Sequence, residues 1–291
     1  MAKDAARKSP IILDGAMGTE LERRGFNARL PLWSAWALIE APDLIRRIHC
    51  DYVLAGAQVL TAATFRTTRH TLAKEHLEKW AGELNRLAIR LAREAAGDNQ
   101  EIKVAGSIAP LEDCYCPEKA PPDEVLRTEH AYTVGLMAEA GADLILVETQ
   151  NSAREAIIAA ECAMTAGLPV WVSLMPRSAD EMWNGDSLAA TAQPIAAMGV
   201  DAVLINCCPP SIASAAFQTV RTTLPKTKVG IYPNLADPQG KPWEFTAEMN
   251  PAAFFRWAQP LMDSAAILGG CCGTTPEHIA SLTERITNLE K

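Results

Sequence analysis

The sequence predicts an α/β protein whose single domain, residues 1–291, is a (β/α)8 barrel of the TIM-barrel type. Short runs of β-branched or other apolar residues recur along the chain, a helix-like segment follows each run, and eight such units are present. Eight units close a barrel, and α/β barrels reach 291 residues as one domain. No linker, low-complexity tract or change in composition marks a second domain.

The predicted strands are apolar runs whose flanking residues fix their ends. In chain order they cover 11–13, 58–63, 102–107, 143–148, 169–174, 201–206, 228–233 and 265–270. Three glycines, Gly56, Gly141 and Gly199, each lie two residues before one of these strands and after a helical stretch. We interpret each as the residue that ends a helix and leads into a strand.

Two segments carry helix signals in detail. Apolar side chains recur at nearly helical spacing between Pro42 and Ala55, with Val53 outside the stripe formed by Leu44, Ile45, Ile48, Tyr52 and Leu54. Near the other end of the chain, Thr275 and Pro276 predict the N-cap and the first residue of the last helix. Two stretches rich in proline and polar residues, 114–124 and 232–243, follow strands and predict long loops at the carboxyl ends of the strands.

Composition and charge narrow the function. Hydrophobic residues make up 48% of the chain, and no apolar run approaches the roughly 20 residues needed to cross a membrane. The net charge of −8 and the absence of a basic cluster argue against a nucleic-acid partner and favour small-molecule substrates. The N-terminal segment does not resemble a signal peptide, so a cytoplasmic location with reduced thiols is expected.

The most informative cysteines are the adjacent pair Cys271 and Cys272. Adjacent residues of a regular strand face opposite sides, but the flanking Gly269, Gly270 and Gly273 permit a turn that brings both thiols to one side. The helix that follows favours the thiolate form. A third thiol from the sequence INCC, residues 205–208, ends the sixth predicted strand, and on spacing alone it is either Cys207 or Cys208.

Three thiols at strand ends are typical of a catalytic zinc site, because three protein ligands leave one position open for a substrate. An isolated cysteine is more often a small core residue, and we favour that interpretation for Cys50 and Cys162. Cys114 and Cys116 form a C-x-C pair that is either incidental or a minor redox element.

Polar residues also follow the other predicted strands, at the barrel face where such folds place their sites. Asp14 follows the first strand and Glu148 ends the fourth, and either carboxylate could bind an amino-acid ammonium group or simply cap the next helix. The remaining polar residues at strand ends are Thr61, Thr64, Ser107, Asn206 and Asn234.

The motifs taken together resemble those of the homocysteine S-methyltransferase family over nearly the whole chain. The matching stretches are ILDGAMGTELERRG, PLWSAWALIEAPDLIRRIHCDYVLAGAQ, VAGSIAP, EAGADLILVET, INC, YPN and GGCCGTTPEHI. The resemblance implies a barrel that binds one Zn²⁺ through Cys207, Cys271 and Cys272, with Asp14 and Glu148 holding the amino end of homocysteine. It also suggests Trp33, Ser34 and Asn234 as residues of the site wall.

The resemblance implies transfer of a methyl group to the homocysteine thiol, giving methionine, and members of the family differ in the methyl donor. PLWSA resembles the branch that uses a sulfonium donor, S-methylmethionine or S-adenosylmethionine. Arg66 lies where the betaine-using branch has an aromatic residue, which disfavours a quaternary ammonium. The barrel also occupies the whole sequence, so we expect no cobalamin or folate domain.

Other functions remain open. A different donor such as betaine, or a different thiol acceptor, would suit the same fold, and the vicinal cysteines alone would also suit a redox or metal-binding protein. A lyase or aldolase is disfavoured because no lysine ends a predicted strand. Three stretches that depart from the family pattern, AATFRTTRH, CYCPEKAPP and NLADPQGKPW, lie on the predicted substrate face and bear mainly on the donor.

Overall fold

A computed structural model describes residues 9–235 and 249–289. Each of the eight predicted strands is present, somewhat shorter or shifted by one or two residues. They are β1 (Ile11–Ile12), β2 (Val59–Thr61), β3 (Lys103–Ile108), β4 (Leu144–Gln150), β5 (Val170–Leu174), β6 (Ala202–Asn206), β7 (Lys228–Tyr232) and β8 (Ile267–Leu268).

The strands form one parallel sheet in the order β1-β8-β7-β6-β5-β4-β3-β2. Residues next to the two outer strands join them: Leu13 forms a parallel bridge with Val59, and the Gln58 amide donates to the Ile12 carbonyl at 2.7 Å. The sheet is therefore closed, and the prediction of a (β/α)8 barrel is confirmed.

Eleven helices accompany the strands in the part of the chain that the structure describes. They are α1 (Gly18–Arg23), α2 (Ala35–Glu40), α3 (Pro42–Leu54), α4 (Arg69–Ala73), α5 (Ala81–Ala96), α6 (Asp123–Glu139), α7 (Ala153–Met164), α8 (Leu188–Ala197), α9 (Pro210–Thr223), α10 (Pro251–Ala258) and α11 (Pro276–Leu289). None of the helices within 9–235 and 249–289 is long and apolar enough to span a membrane.

The core has two layers because strand side chains alternate between the two faces of the sheet. Leu204 belongs to a cluster of strand residues inside the barrel, whereas its neighbours Val203 and Ile205 pack in the larger cluster that includes the helices. Polar residues that end the strands sit above the interior cluster, so the barrel places them together.

The helix signals are largely confirmed. Gly56, Gly141 and Gly199 adopt φ values of +90°, +88° and +86°, as residues that end helices do. The predicted stripe on α3 is wrong at two positions: Leu54, which it includes, is 85% exposed, whereas Val53, which it excludes, packs against the core. Leu54 is the last residue of α3.

The two predicted loops have different outcomes. The first contains a short 3-10 helix at Pro117–Lys119, and α6 begins at Asp123, so the last two residues of the predicted loop 114–124 are helical. In the second, Tyr232 still belongs to β7, and residues 236–243 lie outside the described residues.

Candidate active site

Three thiols converge at the carboxyl ends of β6 and β8. The Sγ atoms of Cys207, Cys271 and Cys272 all lie within 4.8 Å of one another, a grouping that could hold a metal ion. Cys207 is buried, and the other two are partly exposed, so the group is reachable from outside.

The turn after β8 brings both adjacent thiols to one side, but its glycines contribute in two ways. Gly273 adopts φ +81°, a conformation that L side chains rarely adopt. Gly270 and Gly269 are instead needed for close packing: an added Cβ would lie 2.3 Å from Thr274 Oγ1 in the first case and 2.7 Å from Leu13 Cβ in the second. Only Gly273 therefore carries the left-handed backbone at this turn.

At the end of β6 the backbone itself selects between two cysteines. Cys207 adopts φ +55°, and its side chain lines the cleft beside the β8 thiols. Cys208 is 2% exposed and packs in the main hydrophobic core, where burial raises its thiol pKa. Of the two thiols that the spacing left open, Cys207 is thus the one beside Cys271.

The thiols pack in a mixed polar and apolar shell. The Tyr115 hydroxyl lies 3.9 Å from Cys207 Sγ, and Met175 and Cys114 pack in the same cluster. Asn206 Nδ2 lies 4.0 Å from Cys271 Sγ. Burial raises the pKa of Cys114 to about 12, so that thiol stays protonated.

Because the thiols lie so close together, their pKa values shift in opposite directions. Hydrogen bonds with Cys207 and Cys272 hold the pKa of Cys271 well below its usual range, whereas the contact with Cys271 raises the pKa of Cys207. Three thiols this close cannot all ionise without a cation nearby, so the cluster is suited to holding a metal ion.

Two carboxyl groups lie near the carboxyl ends of β1 and β4, which are not adjacent in the sheet; Asp14 is buried and Glu148 is partly buried. Asp14 accepts hydrogen bonds from the Thr61 amide at 2.7 Å and from Thr61 Oγ1 at 2.8 Å, and burial raises its pKa to about 7. Glu148 accepts from Ser107 Oγ and from the Tyr232 hydroxyl, and burial raises its pKa to about 8. Both carboxyls therefore change charge near neutral pH.

Neither carboxyl is a helix cap, which was the alternative role for each. Ser152 caps α7 by accepting from the Glu155 amide, and α1 begins after Met17 with no side-chain cap. Both carboxyls instead line the cleft that contains the three thiols.

The cleft has a volume of about 330 Å³, within the range of small-molecule sites. Trp33 and Ser34 line the cleft, whereas Asn234 is absent from its described lining, and the backbone amide of Asn234 donates to the Cys208 carbonyl at 2.9 Å. The Trp33 indole fits because Gly18 has no Cβ: one added there would lie 1.9 Å from Trp33 Nε1.

Sequence reasoning missed several lining residues, among them Thr149 and Tyr115. Three non-glycine residues that line the cleft have left-handed backbone: Trp33 at φ +50°, Cys207 at φ +55° and Thr149 at φ +56°. Left-handed backbone at non-glycine residues costs about 1–3 kcal/mol each and concentrates at functional sites. The sequence offered one signal for Thr149 and one for Tyr115. Thr149 directly follows Glu148, and Tyr115 lies in a loop that follows a strand.

Fold and site together define a barrel enzyme with a thiol-rich centre that could hold a metal ion, beside carboxyl groups in a small-molecule cleft. Comparison with known proteins makes this class specific. The profile of a protein family described as homocysteine S-methyltransferase matches residues 11–286.

Individual relatives agree over almost their whole length. The homocysteine S-methyltransferase of Escherichia coli (strain K12) is 32% identical, with 94% of each chain covered. A selenocysteine Se-methyltransferase of Brassica oleracea is 31% identical over 95% of this chain and 89% of that protein. The crystal structure of the homocysteine methyltransferase MmuM from Escherichia coli in its metallated form superposes with a TM-score of 0.81, at 32% identity over 96% of this chain and 97% of that one. The chain belongs to the homocysteine S-methyltransferase family.

Proposed function

We propose that this protein transfers a methyl group from a sulfonium donor, S-methylmethionine or S-adenosylmethionine, to the thiol of homocysteine. The observation that carries the proposal is the convergence of Cys207, Cys271 and Cys272 within 4.8 Å at a cleft that the carboxyls of Asp14 and Glu148 also line. In the reaction the methyl carbon–sulfur bond of the donor breaks, a new bond to the homocysteine sulfur forms, and the thiol proton is released. The donor leaves as a neutral thioether, and methionine is formed.

We further propose that Cys207, Cys271 and Cys272 hold Zn²⁺. Three thiolates suit zinc, and a three-ligand set leaves a position for a substrate, as structural zinc sites with four ligands do not. When bound, zinc supplies Lewis acidity that lowers the pKa of a substrate thiol. The similar MmuM structure is described as a metallated form, which supports a bound metal.

Asp14 and Glu148 are proposed to bind the ammonium group of homocysteine. Their side chains line the same cleft as the thiols, and their hydrogen bonds from Thr61 and Ser107 fix the carboxyl planes. An ammonium beside them would lower their pKa values, because an opposite charge favours the ionised form. Trp33 and Ser34 complete this wall, and Asn234 stays a prediction as a further site residue.

The sulfonium donor is favoured by what the cleft presents to a cation. A quaternary ammonium is bound best by a cage of aromatic faces, whereas the loop after β2 brings both Phe65 and the cationic Arg66 to the cleft. Betaine carries a carboxylate just as S-methylmethionine and S-adenosylmethionine do, so the preference for a sulfonium rests on the cationic residue that stands where an aromatic cage would surround a quaternary ammonium.

A combined assay tests the proposal. The purified protein is supplied with homocysteine and, separately, S-methylmethionine, S-adenosylmethionine, betaine and methylfolate, and methionine formation and zinc per chain are measured. We expect about one zinc per chain and turnover with a sulfonium donor. Cys271→Ala should lose both zinc and turnover, whereas Cys50→Ala, on α3 and outside the cleft, should lose neither. Turnover that persists after zinc is removed would contradict the metal assignment, and turnover only with betaine would contradict the donor.

A further inference from the structure

The side chain of Arg66 is an unusual component of the cleft. It lies in the loop between β2 and α4, its side chain is only 7% exposed, and it lines the cleft with the thiols. Burying a guanidinium costs free energy unless its donors have partners. The cleft therefore has to supply acceptors for Arg66.

The described residues supply only some of them. Arg66 Nη1 donates to the Glu112 carbonyl at 3.2 Å, and Nη2 lies 4.0 Å from the Asp113 carboxylate, which is beyond hydrogen-bond distance. Arg66 Nε is buried and has no hydrogen-bond partner within residues 9–235 and 249–289. A guanidinium has five N–H donors, so several of these are available to a ligand.

The proposed reaction alone gives no reason for a cation here. The sulfonium of the donor and the ammonium groups of both substrates are positive, and a fixed positive charge repels them. The anionic group that homocysteine, S-methylmethionine and S-adenosylmethionine share is the α-carboxylate. The planar fork of a guanidinium matches a carboxylate better than any other side chain does.

We propose that Arg66 binds the α-carboxylate of an amino-acid substrate and thereby makes the enzyme select carboxylate-bearing ligands. This proposal rests on the proposed function and extends it by a specificity-determining residue. The Glu112 carbonyl accepts from Nη1 and holds the guanidinium at the cleft wall, and in this proposal the remaining donors of the Nη groups bind the ligand. The carboxylate belongs either to the methyl donor or to the acceptor.

Matched ligand pairs separate these two sources. L-Homocysteine and 3-mercaptopropylamine represent the acceptor side, and S-methylmethionine and 3-(dimethylsulfonio)propylamine represent the donor side. Within each pair the ligands differ only in the carboxylate. Calorimetric Kd values are measured with the zinc-loaded wild type and with Arg66→Gln.

We expect Arg66→Gln to weaken binding of the carboxylate member of one pair by roughly tenfold to a hundredfold, since charged hydrogen bonds contribute that much. The member without a carboxylate should bind both proteins equally. Arg66→Lys, which keeps the charge and loses the fork, should fall between them. Arg69→Gln is the matched control, because Arg69 pairs with Glu129 at 2.7 Å and stacks on Tyr132, away from the cleft lining.

A merely structural Arg66 would change both members of a pair by the same factor, and that result, or no change in either pair, overturns the proposal. Should Arg66→Gln not fold, the Arg66→Lys ratio decides in the same way. Failure of the methyl-transfer proposal is recognised separately, because the wild type would then form no methionine. The ligand pairs report on Arg66 in either case.

Discussion

The two sides of the cleft are built on different physical bases. The thiol side, Cys207, Cys271 and Cys272 at the ends of β6 and β8, depends on left-handed backbone at Cys207 and Gly273. The carboxyl side, Asp14 and Glu148 at the ends of β1 and β4, continues its strands almost directly and depends on burial and on hydrogen bonds from neighbouring strands.

This difference predicts which kind of change should affect each side of the cleft. A backbone turn either places a thiol in the cleft or places it in the core, as the neighbours Cys207 and Cys208 show. A buried carboxyl keeps its position but changes its charge. The thiol side should therefore respond to changes of backbone and ligand in large steps, and the carboxyl side to pH in graded ones.

The largest effect should come from the two cysteines at the end of β6. Cys207→Ala removes one of the three clustered thiols, and we expect loss of zinc and a fall in methyl transfer of roughly a thousandfold or more. Cys208→Ala removes a core side chain and should cost about 1 kcal/mol of unfolding free energy, with zinc retained. Zinc per chain, the rate of methionine formation and the free energy of unfolding in denaturant are measured for both variants. Equal zinc content in the two variants would contradict the assignment of Cys207, and not Cys208, to the metal site.

The next effect should come from the turn after β8. Gly273→Ala forces a side chain into φ +81°, which costs about 1–2 kcal/mol and displaces the amide that donates to Thr19 Oγ1 at 2.9 Å. We expect weaker zinc binding and roughly tenfold lower turnover. Gly25→Ala is the control, because Gly25 has φ +85° in open space. Both variants should lose similar stability, and a loss of zinc in the Gly25 variant would show that strain alone is responsible.

Much of the thiol side could be predicted from the sequence, because the residue types themselves are informative. Adjacent cysteines between glycines have few structural uses, so the β8 turn could be inferred from residue types. The choice of Cys207 over Cys208 could not be inferred from spacing, because it depends on a φ of +55° at a residue with a side chain. Only resemblance to the family pointed to Cys207 before the geometry did.

The carboxyl side was predictable in position and not in environment. A strand end in a barrel faces the site, so Asp14 and Glu148 could be named from the strand pattern. Their partners come from elsewhere in the chain: Thr61 lies 47 residues from Asp14, and Tyr232 lies 84 residues from Glu148. Contacts over such separations require the closed barrel, and hence the raised pKa values could not be read from local sequence.

A pH series should show the graded response. Burial raises the pKa of Asp14 to about 7 and that of Glu148 to about 8, so both are largely neutral at pH 6 and ionise as the pH rises. Affinity for the ammonium of L-methionine, which has no thiol to titrate, should increase about tenfold between pH 6 and 8.5. Calorimetry measures it, and Glu148→Gln should bind more weakly and flatten the upper part of the curve. A flat wild-type curve would contradict an ammonium site at these carboxyls.

The smallest effect should come from Ser107, whose hydroxyl donates to Glu148 Oε2 and lowers the pKa of that carboxyl. Ser107→Ala should shift the pH dependence of L-methionine binding to higher pH and weaken affinity a few-fold at pH 7, because a charged hydrogen bond is lost. The weakening should become smaller as the pH rises above 8, because Glu148 then ionises increasingly in both proteins.

Ser152→Ala is the matched control, because Ser152 is also buried and hydrogen-bonded but caps α7 and does not line the cleft. It should lower stability by about 1 kcal/mol and leave the pH dependence unchanged. Zinc content should stay the same in both variants, since neither hydroxyl touches the thiol side. If Ser107→Ala reduced zinc instead of shifting the pH dependence, the two sides of the cleft would form one coupled unit, and their separate physical bases would have to be abandoned.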